Sequence, residues 1–98
     1  MTFSMDTDGT KLMVSVEGSL DTLSSPELER ALEPALEGVT ELTMDLKDLQ
    51  YITSAGLRVL MGAAKVMNEQ GEMTVANVQD EVMRIFKLTH FDNIFHIV

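Results

Sequence analysis

Two stretches of the chain alternate between apolar and polar residues, the pattern of strands with one buried face, and a third stretch is predicted to be another strand. Residues 11–17 read KLMVSVE, residues 41–46 read ELTMDL and residues 72–78 read EMTVANV. Strands covered by helices on both faces are apolar throughout, whereas residues 41–46 carry the polar residues Thr43 and Asp45 on their second face. The pattern therefore predicts a sheet with helices packed mainly on one face.

Both ends of the chain indicate further strands. Phe3 and Met5 mark an earlier strand, and Asp8-Gly9 is a hairpin-turn signal between it and residues 11–17. We expect residues 18–23 to form a loop. The closing segment, DNIFHIV, is predicted to be a short strand or a packed tail.

Residues 24–38, SSPELERALEPALEG, have helical spacing, with one apolar stripe opposite a row of glutamates. Two starts remain open. Ser24 has capping-box spacing to Glu27, whereas Ser25 as the cap would place Pro26 at the first helical position. Pro34 removes a backbone donor, so we expect a kink or an early end near Glu33.

Residues 47–53 are predicted to be a connector that leads into a second helix. Ser54 is its natural N-cap and Gly71 its natural C′ residue. Its predicted inner positions are Leu57, Leu60, Met61, Ala64 and Met67 or Asn68. A third helix is predicted from a cap at Asp80 to about Leu88, with Val82, Ile85 and Phe86 inside.

The predicted order is β-β-α-β-α-β-α-(β). Alternating strands and helices favour parallel pairing, and the opening hairpin adds an antiparallel pair. We therefore expect an α/β fold in which residues 1–98 form one domain around a mixed sheet.

The charge is large and uneven. The chain has 16 Asp and Glu against 7 Lys and Arg, a net charge of −9, and residues 1–50 hold 11 of those acids against 3 basic residues. Such a chain repels phosphate backbones and anionic bilayers, so we expect neither a nucleic-acid nor a membrane partner. A basic protein partner fits better. With no cysteine and no secretory signal at the N-terminus, we expect a cytoplasmic protein.

Common catalytic and metal motifs are missing from the sequence. His90 and His96 lack an acidic partner at motif spacing, and a triad with Ser54 stays a minor hypothesis. Asp45 and Asp48, near the end of a predicted strand, are a weak metal signal that we interpret as solvated acids. We predict no enzyme activity, no metal and no cofactor.

Ser54 is the residue whose position carries chemistry. A helix N-terminus offers free N–H groups and the positive end of the helix dipole, which stabilise an anion such as phosphate. An exposed serine there could carry a phosphoryl group without disrupting the fold. The simpler interpretation is a helix cap, and the residues alone favour it.

The segment from Asp45-Leu46 through Leu49-x-Tyr51-Ile52-Thr53-Ser54-Ala55-Gly56-Leu57 resembles the STAS domain of anti-sigma factor antagonists. Further matches to the family are Gly18-x-Leu20-Asp21, Pro26-Glu27-Leu28, Gly71-Glu72-Met73, Val82-x-x-Ile85-Phe86-x-Leu88-Thr89 and Ile94-Phe95. The resemblance covers nearly the whole chain.

The resemblance implies a partner-switching regulator of transcription. In this family an anti-sigma factor that is also a serine kinase phosphorylates the serine at the position of Ser54, and a phosphatase reverses the modification. The unphosphorylated antagonist binds the anti-sigma factor and releases sigma. The contact residues that the resemblance implies are Leu20, Asp21, Thr53, Ser54, Gly56, Leu57 and Arg58.

Thr53 departs from the family pattern, in which many antagonists carry Asp directly before the serine. Thr53 keeps a hydroxyl without the charge, and it could itself be the modified residue. The departure favours an alternative: a constitutive STAS binding module in a transporter ATPase or a stress-signalling complex.

Overall fold

The computed structural model describes residues 1–98 and contains five strands, three α-helices and one 3₁₀ turn. In chain order they are β1 (Thr2–Asp8), β2 (Lys11–Leu20), α1 (Ser25–Ala35), β3 (Glu41–Ile52), α2 (Ser54–Gln70), β4 (Glu72–Ala76), α3 (Asp80–Leu88), the 3₁₀ turn (Phe91–Asn93) and β5 (His96–Ile97). This order confirms the predicted alternation, including the short final strand.

The five strands form one mixed sheet in the order β1-β2-β3-β4-β5. Strand β1 runs antiparallel to β2, and the pairs β2–β3, β3–β4 and β4–β5 are parallel. Gly9 has a φ of 63°, a backbone conformation that glycine adopts without the steric cost of a Cβ. The predicted hairpin and the mixed sheet are both confirmed.

The helices and one face of the sheet enclose a core of 22 buried apolar residues. On β2, Leu12, Val14 and Val16 are buried, whereas Met13 and Ser15 between them are exposed or half-buried. All buried apolar side chains belong to this one cluster. The helices therefore cover one face of the sheet, as predicted, and the other face is open to solvent.

Strands β2 and β3 are both longer than predicted. Strand β2 continues to Leu20, and β3 continues to Ile52, six residues beyond the predicted end at Leu46. Twice along its pairing with β2, within residues 45–48 and again within 49–51, β3 uses one residue more than its partner strand. These β-bulges change which face a residue occupies, so simple alternation does not reveal the second half of the strand.

Helix α1 begins after Ser24, which occupies the cap position but whose side chain makes no capping hydrogen bond. The helix passes through Pro34 and ends at Ala35, so the predicted end near Glu33 is two residues too early. Because Pro34 lies in the last turn, little helix follows it, and the amide of Leu36 still donates to the Leu32 carbonyl at 3.0 Å.

Helix α2 begins one residue earlier than a Ser54 cap requires. Thr53 is the cap residue, in an extended conformation, and Ser54 is the first helical residue. At the other end, Gly71 has a φ of 172° and is not left-handed. Glycine is required there because a Cβ would lie 2.0 Å from the Thr40 carbonyl oxygen.

The buried face of α2 also differs from the predicted stripe. Met61 and Ala64 are half-buried, whereas Gly56, Val59 and Ala63 are buried. Val59 and Ala63 line the junction with α1, so this helix buries two neighbouring faces, one against the sheet and one against α1.

The third helix follows its prediction closely. It spans Asp80–Leu88, with Gln79 rather than Asp80 at the cap position. Val82 and Phe86 are buried as predicted, and Ile85 is half-buried. Strand β4 ends two residues early, at Ala76, because Asn77 has a φ of 57° that ends extended pairing.

Candidate functional site

The sheet register brings two distant segments to one edge. Leu20 at the end of β2 pairs with Ile52 at the end of β3, and both side chains are buried. The amide of Thr53 donates a hydrogen bond to the Leu20 carbonyl at 3.0 Å, and the Thr53 hydroxyl lies 3.4 Å from the same oxygen. The loop after β2 and the first turn of α2 therefore lie side by side.

Gly56 makes this close approach possible. A Cβ at this position would lie 2.7 Å from Ile52 Cγ1 and 2.8 Å from the Leu20 carbonyl oxygen. Real Cβ atoms do not approach that closely, so any side chain here would push the start of α2 away from β2. Gly56 thus sets the position of Ser54 without contacting solvent.

The loop after β2 is held by Asp21. One oxygen of its carboxylate accepts hydrogen bonds from the amides of Leu23 and Ser24, each at 3.0 Å. The Ser24 hydroxyl accepts from the Asp21 amide and lies 3.0 Å from both the Asp21 carboxylate and the Ser19 carbonyl oxygen. Asp21 therefore closes a tight turn between β2 and α1.

These hydrogen bonds also change the acidity of Asp21. Bonds from the backbone and side chain of Ser24, and then from the backbone of Leu23, hold the pKa of the Asp21 carboxyl below its ordinary value of 3.8. They favour the charged form because an ionised carboxylate accepts hydrogen bonds more strongly than a neutral acid.

Ser54 is exposed, and its hydroxyl makes no hydrogen bond within the chain. The first turn of α2 carries no acidic residue, and the first helical backbone bond runs from the Leu57 amide to the Thr53 carbonyl, at 2.9 Å. The amides before Leu57 have no partner within the helix. A negatively charged group on Ser54 would meet these donors and the positive end of the helix dipole.

The predicted contact residues fall into two groups, those exposed to solvent at least in part and those buried beneath them. Ser54 and Arg58 are exposed, and Asp21 and Thr53 are half-buried. The remaining three are buried: Leu20, Gly56 and Leu57. In the free chain these three residues position the edge, and they are not accessible to a partner.

Two exposed apolar residues near this edge are absent from the prediction. Leu23, in the turn that Asp21 closes, is 91% exposed, and Tyr51, next to the end of β3, is 46% exposed. Leu23 could have been found from the sequence, because it is a leucine in an otherwise polar loop. The exposure of Tyr51 depends on the second bulge of β3, which the alternating pattern does not reveal.

The other candidate chemistry finds no support in the geometry. Neither His90 nor His96 makes a hydrogen bond to Ser54. Asp45 accepts hydrogen bonds from the Lys47 amide and the Asn77 side chain, each at 3.1 Å, which gives it a structural role. No group of three or more His, Cys, Asp or Glu side chains has the geometry of a metal site.

None of the helices has the length and apolar character needed to cross a bilayer.

Comparison with known proteins gives a consistent family. The sequence matches the family model of the STAS domain over residues 2–98. Over 87 residues it is 32% identical to the anti-sigma-B factor antagonist of Bacillus subtilis (strain 168), a match that covers 88% of this chain and 80% of that protein.

Solved structures share the fold. An anti-sigma factor antagonist from Mycobacterium paratuberculosis superposes with a TM-score of 0.88 at 24% identity, covering 98% of this chain and 83% of that one. The Bacillus antagonist SpoIIAA matches in its unphosphorylated form (TM-score 0.78, 15% identity, 99% and 87% coverage). Its phosphorylated form matches equally well (TM-score 0.77, 14% identity, 99% and 91% coverage).

Proposed function

Because the chain belongs to the STAS domain family of anti-sigma factor antagonists, we propose that it binds an anti-sigma factor and so releases the sigma factor held by that protein. The observation that carries the proposal is the exposed, unbonded hydroxyl of Ser54 at the first residue of α2. The family is regulatory rather than catalytic. The proposed setting is the cytoplasm, where sigma factors meet RNA polymerase.

The partner surface is the edge formed by the Asp21 turn and the start of α2. Leu23 and Tyr51 supply exposed apolar area, and Arg58 supplies a charge one turn after Ser54. Aromatic and arginine side chains are typical anchors of protein interfaces. Binding here buries the Ser54 hydroxyl, which a neutral partner surface tolerates.

Phosphorylation of Ser54 ends this binding. The anti-sigma factor, acting as a kinase, transfers the γ-phosphoryl group of its ATP to Ser54 Oγ; the hydroxyl proton leaves and ADP is released. The product adds about −1.5 to −2 charges at pH 7 to the middle of the contact surface. The helix N-terminus stabilises that charge in the free protein, whereas a desolvated or acidic partner surface opposes it. A phosphatase restores the hydroxyl by hydrolysis.

Two neighbouring hydroxyls could accept the phosphoryl group, and their surroundings favour Ser54. The Thr53 hydroxyl is half-buried and lies 3.4 Å from the Leu20 carbonyl oxygen, beside the junction of β2 and α2. The Ser54 hydroxyl is exposed and unengaged. A phosphate on Thr53 would break that junction, whereas one on Ser54 would not.

Thr53 in place of an acid is also the observation that favours the second candidate, a constitutive STAS module bound to a transporter ATPase or a stress-signalling complex. Such a module needs the same surface but no modification. The two functions differ in one measurable respect, since only the antagonist loses its partner when a negative charge is placed at Ser54.

A three-bait capture experiment separates the candidates. Wild type, Ser54→Ala and Ser54→Asp are used as baits in a native lysate, and mass spectrometry identifies the retained proteins and the phosphorylation state of wild type. The proposal predicts an ATP-binding, kinase-like protein retained by Ser54→Ala and lost by Ser54→Asp. Equal retention by all three baits, without phosphate on Ser54, would assign the constitutive function instead.

A further inference from the structure

Arg58 is the cation nearest to Ser54 along the chain. It lies four residues further along α2, and both residues are exposed. Residues four apart on a helix share a face, with about 5–6 Å between their Cβ atoms. Helical side chains lean back over the preceding turn, so a long side chain at position 58 covers the turn that begins with Ser54. A group attached to the Ser54 hydroxyl is therefore within reach of the Arg58 guanidinium.

Arg58 has no acidic partner in the unmodified chain. The two ion pairs of the structure involve other residues, and Arg58 makes no side-chain hydrogen bond. The other two arginines, Arg30 and Arg84, each follow a glutamate by three residues on their own helix. The positions three and four residues from Arg58 hold a serine, an alanine, a methionine and a glycine. The guanidinium is therefore free to pair with a new anion.

The position of Arg58 suits a modified Ser54 better than an unmodified one. The helix dipole is positive at the start of α2, where it favours acidic over basic residues. The first turn of the helix carries no acidic residue, so nothing there offsets the charge of Arg58. A phosphate on Ser54 would supply the missing acid. An acid that precedes a base by four residues is the favourable order for an ion pair on a helix.

We propose that a phosphoryl group on Ser54 pairs with the guanidinium of Arg58 and thereby withdraws this cation from the partner surface. The pairing rests on the proposed function, in which Ser54 is phosphorylated. Guanidinium can bind phosphate through two parallel N–H···O hydrogen bonds, a geometry that an ammonium group lacks. Phosphorylation then changes the surface in two ways, because it adds an anion and neutralises a cation that the unmodified surface offers to a partner.

The free backbone amides of the first turn of α2 are the competing explanation, since they also stabilise a phosphate on Ser54. Among acidic groups, Asp21 lies in the adjoining turn, directly after Leu20, whose carbonyl accepts a hydrogen bond from the Thr53 amide. Its carboxylate would oppose the phosphate charge. Both contributions are the same in every variant at position 58. A substitution of Arg58 therefore isolates the contribution of the guanidinium.

The test requires neither a kinase nor a partner protein. Phosphoserine is incorporated at position 54 during translation, in the otherwise wild-type chain and in Arg58→Gln, Arg58→Lys and Lys65→Gln. Lys65→Gln is the matched control, because it removes one exposed positive charge from the same helix about 16 Å along the axis from Ser54. That separation exceeds the roughly 8 Å screening length at physiological salt. Arginine, lysine and glutamine have similar helix propensities, so all variants should keep the wild-type melting temperature.

The readout is the second protonation of the phosphate, followed by phosphorus NMR as the pH is changed at constant ionic strength. Arg58→Gln should bind this proton roughly twofold more tightly than wild type, a higher pKa, because a neighbouring cation favours the dianion. Lys65→Gln should titrate as wild type does, and Arg58→Lys should restore part of the lowered pKa. In the wild-type chain the Nε–H resonance of Arg58 should shift as the phosphate loses its second proton.

Two results would overturn the proposal. Identical titration of wild type and Arg58→Gln would show that the amides alone stabilise the phosphate. An equal change in Arg58→Gln and Lys65→Gln would show an effect of net charge rather than of pairing. Failure of the proposed function would be distinguishable, since a lack of phosphate on Ser54 in native material leaves the titration of the translated phosphoserine chains unchanged.

Discussion

Adjacent hydroxyl residues in this chain have different roles that their identities alone do not distinguish. Thr53 and Ser54 are neighbours, yet one hydroxyl faces the Leu20 carbonyl and the other is exposed. The same holds for Ser24 and Ser25, of which the first is bonded to the Asp21 turn and the second is buried. The sequence places Ser54 correctly at the start of a helix, but the prediction gave it the cap position that Thr53 occupies. Both residues carry a hydroxyl, so their identities do not show which of them is the cap.

The serine pair at the start of α1 gives the first prediction. The hydroxyl of Ser25 is buried and has no hydrogen-bond partner, a cost of about 1–3 kcal/mol for such a group. Ser25→Ala should therefore raise the free energy of unfolding by about 1 kcal/mol, measured by urea denaturation. Ser24→Ala is the matched control and should lower it by about 1 kcal/mol, since it removes bonds to Ser19 and Asp21. A decrease for Ser25→Ala would contradict the structure.

Asp21 gives a prediction about pH. Its folded-state pKa lies below 3.8, so its contribution to stability is complete above that value and is lost as the pH falls through the folded-state pKa. Asp21→Asn removes the charge but retains an oxygen that accepts hydrogen bonds. The melting temperature of the variant should lie below that of wild type at pH 7, and the difference should shrink as the pH falls below 3.8. A difference that does not change with pH would show that the carboxylate charge is not involved.

At the scale of elements, the alternating and helical patterns located every strand and helix, and their errors have a common cause. The prediction ended β3 too early because two bulges change its buried spacing from two residues to three, as at Leu46, Leu49 and Ile52. It rotated the buried face of α2 because contact with α1 buries Val59 and Ala63. Both errors arise from tertiary packing, which cannot be read from the local spacing of apolar residues.

The two interior glycines of α2 provide a matched prediction at this scale. Gly56→Ala places a methyl group 2.7–2.9 Å from Ile52 and Leu20 and should destabilise the fold by about 1–3 kcal/mol, as overpacking does. Gly62→Ala meets no atom within 4 Å and should stabilise it by about 1 kcal/mol through helix propensity. Urea denaturation of both variants measures the two effects. Equal effects of the same sign would show that α2 does not pack closely on the end of β2.

For the whole molecule, the order of elements and the mixed sheet could be predicted from the sequence. The set of residues exposed at the candidate site could be predicted only in part. The predicted residues do meet at one edge, because parallel pairing places the end of β2 beside the end of β3. Burial then separates Leu20, Gly56 and Leu57 from the exposed residues around them. Exposure depends on the assembled fold, and this is why Tyr51 was missed, whereas the polar loop around Leu23 could have indicated that residue.

We propose that a charge on Ser54 controls partner binding without changing the fold. The most direct measurement titrates the kinase-like partner, by calorimetry, against the same chain with Ser54 unmodified and with Ser54 enzymatically phosphorylated. We predict at least a roughly tenfold weaker Kd for the phosphorylated form, about 1.4 kcal/mol or more, with an unchanged melting temperature. Equal Kd values for the two forms would show that phosphorylation of Ser54 does not control partner binding.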